Sequence, residues 1–349
     1  MDLGFVEKPE SRCTLRSPFF PSKVGGFPAW LDLSQLPSSD ETSCGVCRCP
    51  TVFLLQIYAP DDSNEATFHR TIYIFCCRNP ACHRRNENRC YNVFRCQLPK
   101  ANPFYSEEPP KEDSKQSVGV DLPGLAALCW VCGSSGPKSC GKCRQARYCS
   151  KEHQLMHWKN GHKGECSSGR VPQQQQHDFY DSSVVPSFLF PESLIVIEEE
   201  EEHNDDPAKT DEERMADYRA YVREKSEGVL DDDQLEDFET SQKDKVFMKF
   251  KKKIKKEPEQ VVRYQRNGEI LWASSEHVPN EVDIPRCQCG SERLFEFQIM
   301  PQLLNYLEVD SLSESTIDWG TLVVYTCGKN CSEGDPYHKE FIWKQDFSS

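Results

Sequence analysis

The chain has 349 residues, of which 37% are hydrophobic and 28% charged, with 19 cysteines and a formal net charge of −14. This composition, with a mean hydropathy of −0.69, is too polar for one compact core and predicts folded modules joined by polar segments. No run approaches the roughly 20 apolar residues of a membrane helix, and residues 1–12 lack the apolar region of a signal peptide. We therefore expect neither a membrane protein nor a secreted one.

The cysteines indicate metal sites. An odd number cannot close into disulfides alone, and without a secretory signal we expect a reducing compartment in which thiols stay free. The first group begins with a Cys-x2-Cys pair at Cys44, which precedes two predicted strands at 52–58 and 71–75. Close thiol pairs at strand ends favour zinc.

A denser group of ligands lies between residues 129 and 166. Two Cys-x2-Cys pairs precede a Cys-x3-His and a His-x3-Cys, and helical i, i+4 spacing places each later pair on one face. Eight thiol and imidazole ligands are enough for two tetrahedral sites and favour zinc, so we expect metal binding and folding to be coupled. His157 is close enough to compete but lacks the second-pair spacing. The eight candidates are Cys129, Cys132, Cys140, Cys143, Cys149, His153, His162 and Cys166.

The negative charge is concentrated in residues 178–242, which contain 22 acidic and 5 basic residues, whereas the rest of the chain sums to +3. This acidic tract includes Glu198–Glu202 and Asp231–Asp233. It is either a solvated linker or a docking surface for a basic partner. The following residues, 231–256, predict a helix ending in six lysines at Lys249–Lys256, which is a solvated face, a nuclear import signal or a salt partner for the acidic tract.

The C-terminal region repeats the N-terminal one. The matched segments are 53–57 with 295–299, 73–77 with 323–327, and 93–97 with 341–345. This alignment places Cys327 opposite Cys77 rather than Cys76. We therefore predict two more zinc sites, and Cys90 or Cys96 could replace Cys82 in the first of them. Their ligands are Cys44, Cys47, Cys77 and Cys82 for one ion, and Cys287, Cys289, Cys327 and Cys331 for the other.

The residues around the middle ligands resemble a MYND finger, namely Tyr148-Cys149-Ser150, Gln154, Trp158 and His162-Lys163. The resemblance implies interleaved sites. His153 stands where most MYND fingers have cysteine, but imidazole is also a competent zinc ligand. The resemblance further implies a peptide-binding groove at Gln154 and Trp158, although Trp158 could instead cap the small core. The implied ligand sets are Cys129, Cys132, Cys149 and His153 for one ion, and Cys140, Cys143, His162 and Cys166 for the other.

We predict a mostly β (α+β) fold, in which a pseudo-duplicated, zinc-containing β module is split by the MYND finger and an acidic disordered tract. Alternation along 295–299 predicts one solvent-facing sheet surface, and 303–309 predicts a short helix. The expected divisions are an N-terminal half-module at 1–105, a linker at 106–125, the finger at 126–168, an acidic low-complexity linker at 169–242 and a C-terminal half-module at 243–349.

Most of the chain, from about residue 3 to residue 347, resembles the programmed cell death protein 2 family. The words that match are Phe20-Pro21-Ser22-Lys23-Val24-Gly25-Gly26, Pro28-Ala29-Trp30, residues 53–60, residues 297–304 and Ile317-Asp318-Trp319-Gly320. Because the MYND finger is present and in place, the chain resembles the members of this family that contain a finger rather than the finger-less relative. The four complete ligand sets predict four zinc ions. The resemblance implies a dedicated chaperone that binds newly made ribosomal protein uS5 and supports its delivery into the 40S subunit, in cytoplasm and nucleus. An acidic tract suits a basic client, and open sheet edges could pair with an extended client segment.

The finger also favours a second class of function. MYND fingers generally bind short peptides, so the alternative is a nuclear adaptor that recruits transcriptional corepressors through the finger. An enzyme is not expected, because complete four-ligand sets leave no open position on zinc and no phosphate loop or nucleophile elbow is present. Direct nucleic-acid binding is not expected either, since the remainder of the chain lacks a strong basic excess.

Overall fold

The computed structural model describes residues 1–108, 110, 124–168, 188–200, 242–309 and 316–347. The strands are β1 (Asp2–Glu7), β2 (Lys23–Val24), β3 (Val52–Tyr58), β4 (His69–Cys76), β5 (Tyr91–Leu98), β6 (Lys138–Ser139), β7 (Arg147–Tyr148), β8 (Ser193–Glu199), β9 (Gln260–Tyr264), β10 (Arg293–Ile299), β11 (Thr321–Cys327) and β12 (Tyr337–Gln345). Ten of them close a barrel in the order β1-β8-β2-β3-β4-β5-β12-β11-β10-β9, and β6 pairs with β7. The predicted mostly β fold is confirmed.

The helices are few. They are α1 (Lys151–His157), a π-helical turn (Trp158–His162), α2 (Lys163–Ser168), α3 (Gln242–Lys256), and 3-10 turns at Arg12–Leu15, Ser17–Phe19, Glu65–Thr67, Pro80–Cys82, Glu281–Asp283 and Pro301–Tyr306. The last turn replaces the helix predicted at 303–309. The helix predicted over 231–256 is present from Gln242, and 231–241 lie outside the described residues. Within the described part of the chain, no helix combines the length and apolar character needed to cross a membrane.

The two half-modules are structurally equivalent. The meander β3-β4-β5 joins the meander β10-β11-β12 through an antiparallel β5–β12 pairing. The same irregularity interrupts both, because the register shifts between Phe53 and Leu55 in β3 and between Phe295 and Phe297 in β10. A β-bulge at the same repeat position in both halves confirms the predicted duplication.

A glutamine in each half fixes the segment that covers its meander. The Gln56 side chain accepts from the Ala29 backbone N–H at 2.8 Å and donates to the Ala29 carbonyl at 3.4 Å. Gln298 makes the equivalent pair of bonds with Leu271, at 2.8 and 3.0 Å. Ala29 and Leu271 therefore occupy equivalent positions.

The predicted match of segment 93–97 with segment 341–345, the third of the repeat, is wrong by one residue. Tyr73 pairs with Phe94 across β4 and β5, and the equivalent Val323 pairs with Trp343 across β11 and β12. Segment 93–97 therefore corresponds to 342–346. The apolar alternation alone could not fix this register, whereas the corrected match superposes two buried bases, Arg95 and Lys344.

The acidic linker predicted at 169–242 contains a barrel strand. Strand β8 pairs with β1 from Glu7↔Leu194 to Asp2↔Glu199 and with β2 at Lys23↔Leu194. Its run Leu194-Ile195-Val196-Ile197 has high β propensity, a signal that the surrounding glutamates outweighed in the sequence interpretation.

A glutamate on each side of β8 neutralises a buried base. Lys23 in β2 forms an ion pair with Glu192, and Glu200 pairs with Arg263 in β9 and with Lys253 in α3, both at 3.1 Å. Burial would raise the pKa of Glu200, but the charges of Arg263 and Lys253 outweigh it and lower the pKa. The Lys253 contact supports the predicted salt partnership between the lysine run and the acidic tract.

The loop after β2 is shaped to receive the segment that leads into β8. Gly25 and Gly26 have φ of 67° and 65°, and a side chain on Gly25 would overlap the carbonyl oxygen of Pro191. The Gly26 N–H donates to the Phe190 carbonyl at 3.0 Å. The Lys23-Val24-Gly25-Gly26 word thus has a structural role in barrel closure.

The barrel interior contains a buried ion pair that joins the two halves. Arg70 in β4 donates to both carboxylate oxygens of Glu296 in β10, at 2.7 and 2.8 Å, and both side chains are fully buried. Tyr264 also donates to Glu296 at 2.8 Å. Burial would raise the pKa of Glu296, but the charge and hydrogen bonds of Arg70 outweigh it and lower the pKa.

Two sequence expectations about the sheet are wrong. The predicted solvent-facing surface is absent from β10, since Glu296 and Gln298 are each 0% exposed and bond to internal partners. The ten barrel strands that the structure describes also leave no open edge, because β1 and β9 pair and close the ring. Edge-strand pairing with a client therefore has no template in this barrel.

We predict that Arg70→Met lowers the free energy of unfolding by about 3–5 kcal/mol, because it leaves the Glu296 carboxylate buried without its closest charged partner. The double variant Arg70→Met/Glu296→Leu should lose less. Arg286→Met, which breaks the exposed pair with Glu292, is the control and should lose less than about 1 kcal/mol. Denaturant unfolding measures all three, and equal losses for Arg70→Met and Arg286→Met would contradict a stabilising interior pair.

Candidate metal centres and the finger surface

The structure brings together all four predicted ligand sets. Within each set, the four ligand atoms lie within 4.8 Å of one another. The sets are Cys44, Cys47, Cys77 and Cys82 (site N), Cys287, Cys289, Cys327 and Cys331 (site C), Cys129, Cys132, Cys149 and His153 (finger site 1), and Cys140, Cys143, His162 and Cys166 (finger site 2). Their composition is compatible with zinc.

Sites N and C lie at equivalent ends of the two meanders. Cys77 directly follows β4, and Cys327 ends β11. The sulfur–sulfur distances are 3.6 Å for Cys47–Cys77 and 3.6 Å for Cys289–Cys327. A zinc–sulfur bond of about 2.3 Å in a tetrahedron separates its ligands by about 3.8 Å, so the thiols have the spacing that zinc requires.

Each of the four sites contains one thiol with a lowered pKa, whereas other thiols of the same sites have raised pKa values. Burial raises the pKa of Cys47, but hydrogen bonds from the Cys49 backbone and neighbouring thiols outweigh it and lower the pKa to about 7. At Cys327, backbone hydrogen bonds outweigh burial and lower the pKa to about 7. At Cys140, backbone hydrogen bonds and a hydrogen bond with His162 outweigh burial and lower the pKa to about 6. Metal ligands must be deprotonated, so these donors favour the binding form.

The alternatives to Cys82 lie elsewhere. The Cys90 sulfur is 3.7 Å from Nδ1 of His83, whose Nε2 faces the Cys77 carbonyl at 2.7 Å. Cys96 faces outward on β5 in the cluster around Trp30. The structure therefore groups Cys82 with site N, and neither alternative belongs to that group.

Finger site 1 forms where β7 leads into α1. The Ser150 side chain caps the helix by accepting from the His153 backbone N–H at 3.2 Å, which fixes His153 in the first turn. The His153 Nδ1 lies 3.1 Å from the Cys149 sulfur and 3.6 Å from the Cys129 sulfur. Cys149 precedes the helix, so the predicted shared helix face is replaced by a capped turn.

Finger site 2 depends on the turn between α1 and α2. Gly161 has φ of 143°, and His162 follows it with Nε2 3.6 Å from the Cys143 sulfur. The His162 Nδ1 lies 3.7 Å from the Glu165 carboxylate, which is too long for a hydrogen bond, and this buried nitrogen has no hydrogen-bond partner. His157, the competing ligand, instead shares a hydrogen bond with the Tyr148 hydroxyl at 3.0 Å.

The predicted groove residues Gln154 and Trp158 lie one helical turn apart and are both half-buried. Trp158 packs its edge against His162 at 5.9 Å, as expected of a cap on the small core. Leu155, which the sequence interpretation missed, is the exposed apolar residue beside them, with 50% of its surface accessible.

The finger docks on the N-terminal half-module. The buried Trp30 indole donates to the Gly133 carbonyl at 2.7 Å. Phe188, which precedes β8, packs against His153 with ring centroids 5.0 Å apart. The Pro28-Ala29-Trp30 word therefore links barrel and finger, a role that composition and spacing could not reveal.

These features define a mostly β protein that combines a MYND finger with two further cysteine clusters compatible with zinc. Family models match three parts of it. They are the N-terminal domain of programmed cell death protein 2 over residues 1–112, the C-terminal domain of that protein over residues 244–346, and the MYND finger over residues 129–166. The chain belongs to the programmed cell death protein 2 family.

Relatives match over most of their length. Programmed cell death protein 2 of Bos taurus is 46% identical over 99% of this chain and 96% of its own. Programmed cell death protein 2-like of Homo sapiens is 26% identical over 89% of this chain and 85% of its own. Probable 20S rRNA accumulation protein 4 of Schizosaccharomyces pombe is 25% identical over 97% and 94%. No solved structure matches the chain significantly.

We predict that Cys82→Ser lowers the metal content of the purified chain by one equivalent, because a tetrahedral site then loses one of four ligands. Cys90→Ser, which changes a nearby buried thiol outside the cluster, should leave the content unchanged. Elemental analysis at equal protein concentration compares the two, and loss of metal from Cys90→Ser alone would make Cys90 the ligand.

Proposed function

We propose that this chain is a dedicated chaperone that binds newly made ribosomal protein uS5 and supports its delivery into the 40S subunit. The observation that supports it most is the near full-length similarity to a relative named for 20S rRNA accumulation, since that similarity includes both half-modules as well as the finger. A chaperone of this kind acts in the cytoplasm, where the client is made, and in the nucleus, where subunits assemble.

The architecture suits a basic client. The acidic tract is tied to the barrel through β8, so its remaining negative charge starts at a fixed point on the barrel surface. Dense negative charge steers a basic protein to the surface and competes with stray nucleic acid. Glu200 is excluded from this role, because it is already paired with Arg263 and Lys253.

We also propose that each of the four clusters binds one zinc ion. Complete sets of four thiol or imidazole ligands support structural rather than catalytic zinc, because no ligand position remains for water. The ions would fix the ends of the two meanders and most of the finger, whose 38-residue span between Cys129 and Cys166 has little core of its own.

A second candidate is a nuclear adaptor that recruits transcriptional corepressors. The exposed Leu155 beside Gln154 favours it, because an apolar residue on the outer face of the finger could contact a short peptide. The two functions need different surfaces, the barrel in one case and the outer face of α1 in the other.

We expect native mass spectrometry of the purified chain to give four zinc ions per molecule. Protein from which a chelator has removed the zinc should lose cooperative unfolding in both half-modules, since metal binding and folding are coupled. Two ions per molecule would restrict metal to the finger and contradict metal sites in the barrel.

We expect purified uS5 to bind the wild-type chain and the finger-surface variant Leu155→Arg with equal affinity. Cys289→Ser, which breaks site C, should weaken binding at least tenfold, because the C-terminal half-module loses its fixed strand ends. Titration calorimetry at two salt concentrations measures affinity and its electrostatic part. Loss of binding in Leu155→Arg with retention in Cys289→Ser would favour the adaptor.

A further inference from the structure

We propose that the outer face of the C-terminal meander binds an extended apolar segment of the client that is flanked by basic residues. This inference rests on the proposed chaperone function and assigns its binding surface. We call this surface the C-terminal aromatic face. It consists of Trp272, Phe295, Tyr325, Phe341 and Trp343, together with the adjacent Val278 and Val282.

The duplication identifies the counterpart of this face in the N-terminal half. Trp272 follows Leu271 as Trp30 follows Ala29, and the two glutamine contacts make these positions equivalent. The strand registers add three further matches. They are Phe53 with Phe295, Phe75 with Tyr325, and Phe94 with Trp343.

The two faces differ in how well they are covered. In the N-terminal half, Trp30 is 1% exposed and the aromatic strand residues are fully buried. In the C-terminal half, Trp272, Phe341 and Trp343 remain partly exposed. Large aromatic side chains left partly accessible next to one another are typical of binding surfaces.

The N-terminal face shows what kind of chain covers such a surface. The segment Leu125-Ala126-Ala127-Leu128 lies over it, and the Ala126 N–H donates to the Leu33 carbonyl at 2.9 Å. Tyr105 adds a hydrogen bond from its hydroxyl to the Leu31 carbonyl at 2.7 Å. An extended, apolar segment with backbone hydrogen bonds therefore fits the geometry of this type of face.

The C-terminal face has a partial cover among the described residues, the loop 270–284. The His277 ring stacks on Trp343 with ring centroids 4.4 Å apart, and the His277 backbone carbonyl accepts from the Trp343 indole N–H at 2.9 Å. From this loop Val278 and Val282 extend into solvent, with 41% and 90% of their surfaces accessible. Because Trp272 and Ile284 of the same loop belong to the aromatic cluster, these two valines extend its apolar surface into solvent.

The charge around the face favours basic residues in the occupant. Glu281 and Asp283 flank Val282 and are exposed. Arg286 is neutralised by Glu292 at 2.9 Å, and Lys339 adds one exposed base at the opposite side. The loop tip is thus acidic as well as apolar, which suits an apolar segment between basic residues.

The test uses the full-length, zinc-loaded chain and purified uS5. Val278→Arg/Val282→Arg changes only exposed side chains, so the melting temperature should not change. Affinity should fall about tenfold, or ~1.4 kcal/mol, since the new charges repel the basic segment and remove apolar contact. Leu155→Arg is the control, an exposed apolar residue on the finger with 50% of its surface accessible, and should bind as the wild type does.

The outcomes separate this inference from the proposed function. If wild-type protein fails to bind uS5, the chaperone proposal itself fails. If wild type binds and the double arginine variant binds equally well, only the assigned surface is wrong. A photo-reactive residue at Val282 gives an independent test. Cross-linking to one segment of uS5 supports the surface, whereas cross-linking to this chain's own acidic tract contradicts it.

Discussion

The fold depends on pairing the charges that barrel closure buries. Arg70 and Glu296 come from opposite half-modules and meet in the interior, so this ion pair joins the two halves, with Arg266 of the C-terminal half a further 3.7 Å contact of Glu296. Glu192 and Glu200 pair in the same way with Lys23 and Arg263 on either side of β8. The two halves and the strand from the acidic tract therefore form one unit, since an unpaired buried charge is strongly destabilising.

Local spacing and the repeat were enough to predict the duplication and the ligands of sites N and C, whereas the division of the finger ligands into two interleaved sets came from the resemblance to MYND fingers. Four ligands around one ion impose short, fixed separations on the chain. The repeated sequence segments also aligned Cys77 with Cys327, which identified the corresponding ligands in the two halves. The failures concern long-range partners. Alternation could not reveal that Glu296 faces an arginine 226 residues away, nor that Leu194–Ile197 completes a barrel within an acidic segment.

The duplication also produced two similar faces with different occupants. The N-terminal face is covered by residues 125–128 and contacts the finger through Trp30. The finger thus docks on the N-terminal half without entering the barrel, because its strands β6 and β7 form a separate two-stranded sheet. The C-terminal half, which the loop 270–284 covers only in part, retains partly accessible aromatic rings next to an acidic loop tip.

The central claim is that the barrel, rather than the outer surface of the finger, binds the client. Quantitative mass spectrometry of partners captured from cytosol by the tagged chain tests it most directly, with Gln154→Ala/Leu155→Arg as the comparison. Deleting the finger would uncover the Trp30 face, so point variants are preferable. We predict stoichiometric uS5 with both proteins. Corepressor subunits captured by the wild type and lost from the variant, without uS5, would contradict the account.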